Sequence, residues 1–209
     1  MKGILIVFEG MDGSGKTSQA KMLARLLRNK GKKVLFTHEP TRNTKLGRYI
    51  EKRIRRAVDN KAELLELYTR DREAHLKNEI IPALKKGKIV ICDRYYYSTL
   101  AYQLPKNRWK TYIKPFLKPD IAFICDVPAD IAMKRINISI SKNERRFRKK
   151  AIFEKLNVLK KLRKKYLQMK IFREVRIIDA KPAPEKIFEK IIFWFRLTEK
   201  FKKNESYIY

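Results

Sequence analysis

The densest chemistry in the sequence lies close to its start. Gly10-Met11-Asp12-Gly13-Ser14-Gly15-Lys16-Thr17 reads G-x-x-x-x-G-K-[ST] in full, the spacing of a loop that cradles phosphates. An apolar run, Ile4–Glu9, precedes it, and a helical pattern follows from about Gly15 to Asn29. In that setting the glycines let the backbone curl so that its N–H groups point at one anion. The start of the helix adds a partial positive charge. Lys16 would reach the β and γ phosphates of a bound nucleoside triphosphate, and Thr17 would offer its hydroxyl to Mg²⁺. The loop alone does not separate a kinase from an ATPase or a GTPase. A GTP-specific protein generally carries a base-reading N-K-x-D element; Lys142-Asn143-Glu144 has the wrong order, and the chain contains no N-K-x-D stretch.

A second group of charges closes another apolar run. Lys88-Ile-Val-Ile-Cys92 leads into Asp93-Arg94. Ligands collect beyond the carboxyl ends of strands in open parallel sheets. Asp93 there could hold Mg²⁺ directly or through water, and Arg94 could offer a planar fork of donors to a phosphate. An ordinary strand-end acid beside a surface arginine is the plainer reading. Tyr68 and Arg72 stand four residues apart and so share a helical face, with His75 three further on. A ring for stacking and a guanidinium for hydrogen bonds could read a base. Spacing alone equally allows Tyr68 in the core, Arg72 in a surface ion pair with Glu79 or Glu66, and a structural His75.

These groups need a scaffold that gathers them. Strand-like runs occur at Ile4–Glu9, Lys33–Thr37, Lys88–Cys92, Ile121–Val127 and Val175–Asp179. They are short and rich in Ile, Val and Phe, as strands buried on both faces of a parallel sheet are. Segments long enough for crossover helices separate them. The pattern predicts a three-layer α/β/α P-loop NTPase fold with a five-stranded parallel sheet, one domain over 1–209. The first helix puts Ala20, Leu23, Ala24 and Leu27 on one face. A long amphipathic segment runs from Ala62 to Leu84, with a break expected at Pro82. Lys150 to Lys170 and Ala183 to Phe201 read as helices, the latter with Pro184 in its first turn. Between about 137 and 149 the chain is polar and basic, with no clear strand signal.

The composition carries one anomaly, a formal charge of +30. Such a field attracts polyanions. From Lys134 to Arg173 there are 16 Lys or Arg against two Glu. The cations are interleaved with apolar residues at helical spacing, so the reading is a solvated Lys-rich surface of a heat-adapted protein. Nucleic acid is not expected as a partner. Mean hydropathy is negative, no apolar run approaches the ~18 residues of a membrane helix, and the start lacks a signal-peptide pattern. A cytoplasmic protein is expected. Cys92 and Cys125 each sit inside an apolar run and read as buried, reduced thiols.

Three stretches resemble the thymidylate kinase family. Phe8-Glu9-Gly-Met-Asp12-Gly-Ser-Gly-Lys16-Thr17 is similar to the family's opening F-E-G-x-D-G-x-G-K-[ST]. Asp93-Arg94-Tyr95-Tyr-Tyr-Ser98-Thr99-Leu-Ala101-Tyr102-Gln103 resembles its D-R-[FY]-x-x-S-x-x-A-[FY]-Q signature at every fixed position. Leu64 to His75 is similar to its L-L-x-F-x-A-D-R-x-x-H helix, and Asp126-Val-Pro128 with Arg135 resembles the strand and helix before its lid. The resemblance covers about residues 3 to 180.

It implies a role for each matching residue. Tyr68, where the family usually has Phe, would stack on thymine, and Arg72 would bond the base. Arg94 would bind the acceptor phosphate, with Ser98 and Gln103 in the same acceptor site. Thr99 would meet the base edge, and Tyr102 the 2′ side of the sugar. Asp12 would stand near the acceptor's 3′-hydroxyl or the metal. The usual E-P-G-G-T reads Glu39-Pro40-Thr41-Arg42-Asn43-Thr44 here; Glu39 carries over directly, and Arg42 departs from the pattern. Some members carry a catalytic Arg in the phosphate loop and others in the lid. Gly13 stands where the loop Arg would sit, so the resemblance assigns that role to Arg145 or Arg146 in the lid. The implied reaction is Mg²⁺-dependent transfer of the ATP γ-phosphate to dTMP, by a homodimer. Rival readings are a kinase for dUMP or for a nucleoside, and a nucleic-acid-binding P-loop protein.

Overall fold

A computed structural model describes residues 3–55, 60–139 and 156–205. Arg145 and Arg146, expected in the lid, therefore lie outside the described residues, as does most of the segment expected to form it.

Five strands form one sheet in the order β2-β3-β1-β4-β5. They are β1 (Ile4–Glu9), β2 (Val34–His38), β3 (Ile89–Asp93), β4 (Ile121–Asp126) and β5 (Val175–Asp179). Every pairing is parallel. β1 and β3 are buried along their whole length, which is why their sequences are apolar without alternation. β1 and β5 match the expected spans, β2 and β3 are each shifted one residue towards the C-terminus, and β4 ends one residue early. Cys92 and Cys125 are buried free thiols within the sheet.

Helices fill the crossovers. They are α1 (Lys16–Asn29), α2 (Lys45–Arg55), α3 (Lys61–His75), α4 (Ile81–Lys85), α5 (Tyr96–Gln103), α6 (Trp109–Ile113), α7 (Ala129–Ser139), α8 (Leu156–Gln168) and α9 (Pro184–Glu205). α1 packs against α9, β1 and β3, and α5 packs against both α3 and α8. On α1 the buried face includes Ala20, Leu23, Ala24 and Leu27, as its spacing predicts. No helix among the described residues is long and apolar enough to cross a membrane.

The long helical segment does not break at Pro82 but widens just upstream of it. A proline ring excludes the carbonyl four residues back and supplies no N–H. The turn Leu76–Ile80 widens into a π-turn, with the Ile81 N–H bonded five residues back to Leu76 O. Pro82 then falls in the first turn of α4, where it is tolerated. At the other end, Asn60 caps α3 by accepting the Glu63 N–H at 3.1 Å. α3 is thus fixed at both ends, and it carries Tyr68, Arg72 and His75.

The strand order creates the site. From β1 the chain builds β2 and β3 on one side and then crosses to β4 on the other. Loops leaving the carboxyl ends of β1 and β3 diverge there and leave a crevice. Phe8 is in register with Asp93, as is His38 on the far side.

Candidate active site

The phosphate loop leaves β1 at Gly10. Gly13 has φ of 78°, and a Cβ there would come within 2.3 Å of the Ala132 carbonyl oxygen. Neither the conformation nor the space admits a side chain. Met11 contributes only backbone, since its side chain lies in the core. Lys16 is buried, with Nζ at 3.4 Å from both the Met11 carbonyl and the Asp12 carboxylate. Thr17 Oγ1 donates to Asp93 Oδ2 at 2.6 Å. Asp93 Oδ1 is buried and has no hydrogen-bond partner among the described residues, as is true of Ser14 Oγ. Buried acceptors are rarely left alone. An unmatched carboxylate oxygen beside a hydroxyl is the donor set a hard divalent cation takes, with phosphates and water completing its shell.

Arg94 follows Asp93 and adopts a left-handed conformation, φ 71°. That is uncommon for a side-chain-bearing residue and costs on the order of 1–3 kcal/mol. Its N–H is held by the Phe8 carbonyl at 2.8 Å. The guanidinium donates to Ser98 Oγ at 3.0 Å and to the Gly10 carbonyl at 3.3 Å, and it pairs with Asp12. Burial alone would raise the Asp12 carboxyl, but the charges of Arg94 and Lys16 outweigh it and hold it well below the usual carboxylate range. Burial likewise works against the charged guanidinium of Arg94, and Asp12 more than compensates. The Tyr102 ring lies 5.9 Å from that guanidinium.

The other charged cluster is built on α3. Arg72 is 1% exposed. Its Nε donates to Glu39 Oε2 at 2.9 Å, its Nη1 to Tyr112 Oη at 2.9 Å, and its Nη2 to Thr99 Oγ1 at 3.1 Å. It also stacks near the rings of Tyr95 and Phe116. The surface pairing that spacing allowed is overturned: Glu66 pairs with Arg70, and Glu79 lies against His75 and Thr37. Glu39 divides its oxygens between Arg72 and His75, 3.3 Å from Nδ1. It backs the guanidinium, and His75 backs it in turn. Burial lifts the Tyr68 phenol to about 12.

A cavity of about 470 Å³ joins the two clusters. Lys16, Thr17 and Asp93 line it together with Tyr68, Arg72, Thr99, Tyr102 and Gln103. Two predicted residues differ from the rest. Arg42 reaches the cavity rim, but its side chain is 71% exposed and its Nε bonds Glu51 at 2.9 Å. Ser98 donates its hydroxyl inward, to Glu9 Oε2 at 2.7 Å. The sequence reading overlooked Asp71, which holds the loop after β2 by accepting from Thr41 N–H and Oγ1. It also missed Tyr112, Tyr166 and the buried carboxylate of Glu9.

A phosphate loop at the switch point of a parallel sheet, opening on a pocket lined by Tyr68 and Arg72, is the arrangement of a P-loop nucleotide kinase. Residues 8–191 match the family model described as thymidylate kinase. A probable thymidylate kinase of Pyrococcus abyssi (strain GE5 / Orsay) is 39% identical over 205 residues, covering 92% of this chain and 95% of its own. One from Archaeoglobus fulgidus is 35% identical over 208 residues, with 97% and 100% covered. The thymidylate kinase of Leptospira borgpetersenii is 35% identical over 198 residues, with 91% and 92% covered. The chain belongs to the thymidylate kinase family, and with it to the nucleoside monophosphate kinases.

Proposed function

We propose that the enzyme transfers the γ-phosphoryl group of ATP to the 5′-phosphate of dTMP, giving dTDP and ADP. The observation that carries this reading is the single cavity running from Lys16 to the Tyr68–Arg72 pair. Such a transfer needs alignment and charge neutralisation rather than a covalent enzyme intermediate. The loop N–H groups and Lys16 bind the donor's phosphates. Arg94 takes the acceptor phosphate, and Tyr68 and Arg72 hold the base. Tyr102 packs against the sugar and favours the 2′-deoxy form. Thr17 and Asp93 would hold Mg²⁺, which when bound neutralises phosphate charge. The proposed setting is the cytoplasm and the proposed state a homodimer, both on family resemblance.

The test is a coupled ATP assay with dTMP, dUMP, dCMP, dGMP and AMP. dTMP is expected to give the highest kcat/KM. dUMP lacks one methyl group, worth about 10- to 200-fold in an apolar pocket. A higher kcat/KM for dUMP or a ribonucleotide would overturn the assignment.

Arg72→Ala tests the base pocket. Removing one partner of a buried ion pair leaves Glu39 uncompensated and is expected to cost about 3–5 kcal/mol in urea unfolding. In the surviving folded enzyme, the KM for dTMP is expected to rise far more than the KM for ATP. An equal rise for both substrates would remove Arg72 from the base pocket.

A further inference from the structure

Glu9 is the last residue of β1, is fully buried, and takes no part in the reading above. Its carboxylate is surrounded by donors. Oε1 accepts the Tyr95 N–H at 2.7 Å and the Ser98 N–H at 3.0 Å. Oε2 accepts the Ser98 hydroxyl at 2.7 Å and the Tyr166 hydroxyl at 3.2 Å. Two partners are backbone N–H groups, which can only donate, and two are hydroxyls, so a carboxylate accepts from all four at once. Burial pushes the Glu9 carboxyl up; the charge of Arg94 and these hydrogen bonds oppose it.

Two of the bonds bracket Arg94. The Tyr95 N–H follows the left-handed Arg94 directly in the chain. Ser98, whose hydroxyl proton points at Glu9, presents its lone pairs to Arg94 Nη1 at 3.0 Å. A Ser98 hydroxyl turned the other way would aim a proton at the guanidinium. Glu9 therefore sets both the strained backbone that launches Arg94 and the acceptor that aims its fork. Tyr166 lies on α8, which Arg163 anchors separately to Asp126 at 2.8 and 2.9 Å. The same carboxylate thus ties α8 to the turn that carries Arg94.

We infer that Glu9 is a positioning residue for phosphate recognition: it acts through Ser98 and Tyr95 to hold Arg94 where the acceptor's 5′-phosphate binds. The inference rests on the acceptor reading given above. It separates from general structural support by one property. A residue that acts through Arg94 affects a ligand that carries the phosphate and spares one that lacks it.

The experiment compares dTMP with thymidine on wild type and Glu9→Gln, as dissociation constant and competitive inhibition constant respectively. Glutamine keeps the volume but can put an amide NH₂ where Oε2 accepted, so the Ser98 hydroxyl must turn to accept it and its proton leaves Glu9. Hydrogen bonds to charged groups carry enough energy for dTMP to bind about tenfold more weakly or worse. Thymidine inhibition is expected to change less than about twofold, a difference too small to reflect a lost hydrogen bond. Equal weakening of both ligands, or no change in dTMP binding, overturns the inference. Should Glu9→Gln not fold, Ser98→Ala cuts the hydroxyl link alone, and the same phosphate-selective loss is required of it. A wild-type enzyme that prefers another nucleoside monophosphate overturns the acceptor reading instead. The comparison is then made between that nucleotide and its nucleoside, with the same outcomes.

Discussion

Replacing Lys16 with alanine is expected to abolish phosphoryl transfer and leave the fold intact. Lys16 lies in the first turn of α1, where a cation opposes the helix dipole, so its removal does not weaken the helix. Asp12 keeps its pairing with Arg94, so no buried acid is stranded. What disappears is the one loop side chain that carries a full positive charge, held beside the phosphate-binding backbone. Loss of a preorganised group that meets developing charge costs about 10²–10³ in rate, and the ammonium also binds the donor. Turnover with dTMP and the midpoint of thermal unfolding give the two readouts. Near-normal turnover in a folded variant would remove the phosphate loop from the reaction.

A second large loss of turnover is expected from one arginine of the proposed lid. The phosphate loop has no room for this charge: at Gly13 any side chain would run into the Ala132 carbonyl. Arg42 is a poor substitute, being exposed and paired with Glu51. The chain from 145 to 148 offers Arg145, Arg146 and Arg148, which lie outside the described residues. A guanidinium on the transferring phosphoryl group is worth on the order of 10³-fold or more. Its contact forms mainly in the transition state, so its loss lowers kcat more than it raises KM. Arg145→Ala, Arg146→Ala and Arg148→Ala, each measured for both substrates, are expected to single out one large kcat defect, at Arg145 or Arg146. Three near-normal kcat values would mean that the lid cations are only a charged surface.

The sheet was legible because burial on both faces writes itself into composition. β1 and β3 have no polar face to hide, so their places and parallel setting follow from runs of Ile and Val, to within one residue at each end of β3. The phosphate loop was legible because its chemistry is local. Arg72 was not. Its partners come from residue 39 after β2, residue 99 on α5 and residue 112 on α6, and helical spacing reports only neighbours on the same helix. Tyr112 gave no signal at all, lying in a short helix with no motif. Glu9 could have been found: β1 and β3 both end in an acid, and the rule that drew attention to Asp93 applies to both. The acid at the end of β1 turned out to face buried N–H and O–H groups, while Asp93 meets Thr17 at the loop. One rule cannot separate those two fates without the third dimension.

Arg94 already grips an anion in this structure, the carboxylate of Asp12. Asp12 is tethered two residues from Gly10, so it competes for the guanidinium at the high effective concentration of an intramolecular ligand, in the millimolar range or above. A free inorganic phosphate must displace that rival using the phosphate contact alone. A nucleotide brings a base and a sugar to the same contest, and their burial supplies the difference. On the acceptor reading proposed above, selectivity for the whole nucleotide over its fragments would arise from a built-in inhibitor that only a ligand with several points of attachment can evict.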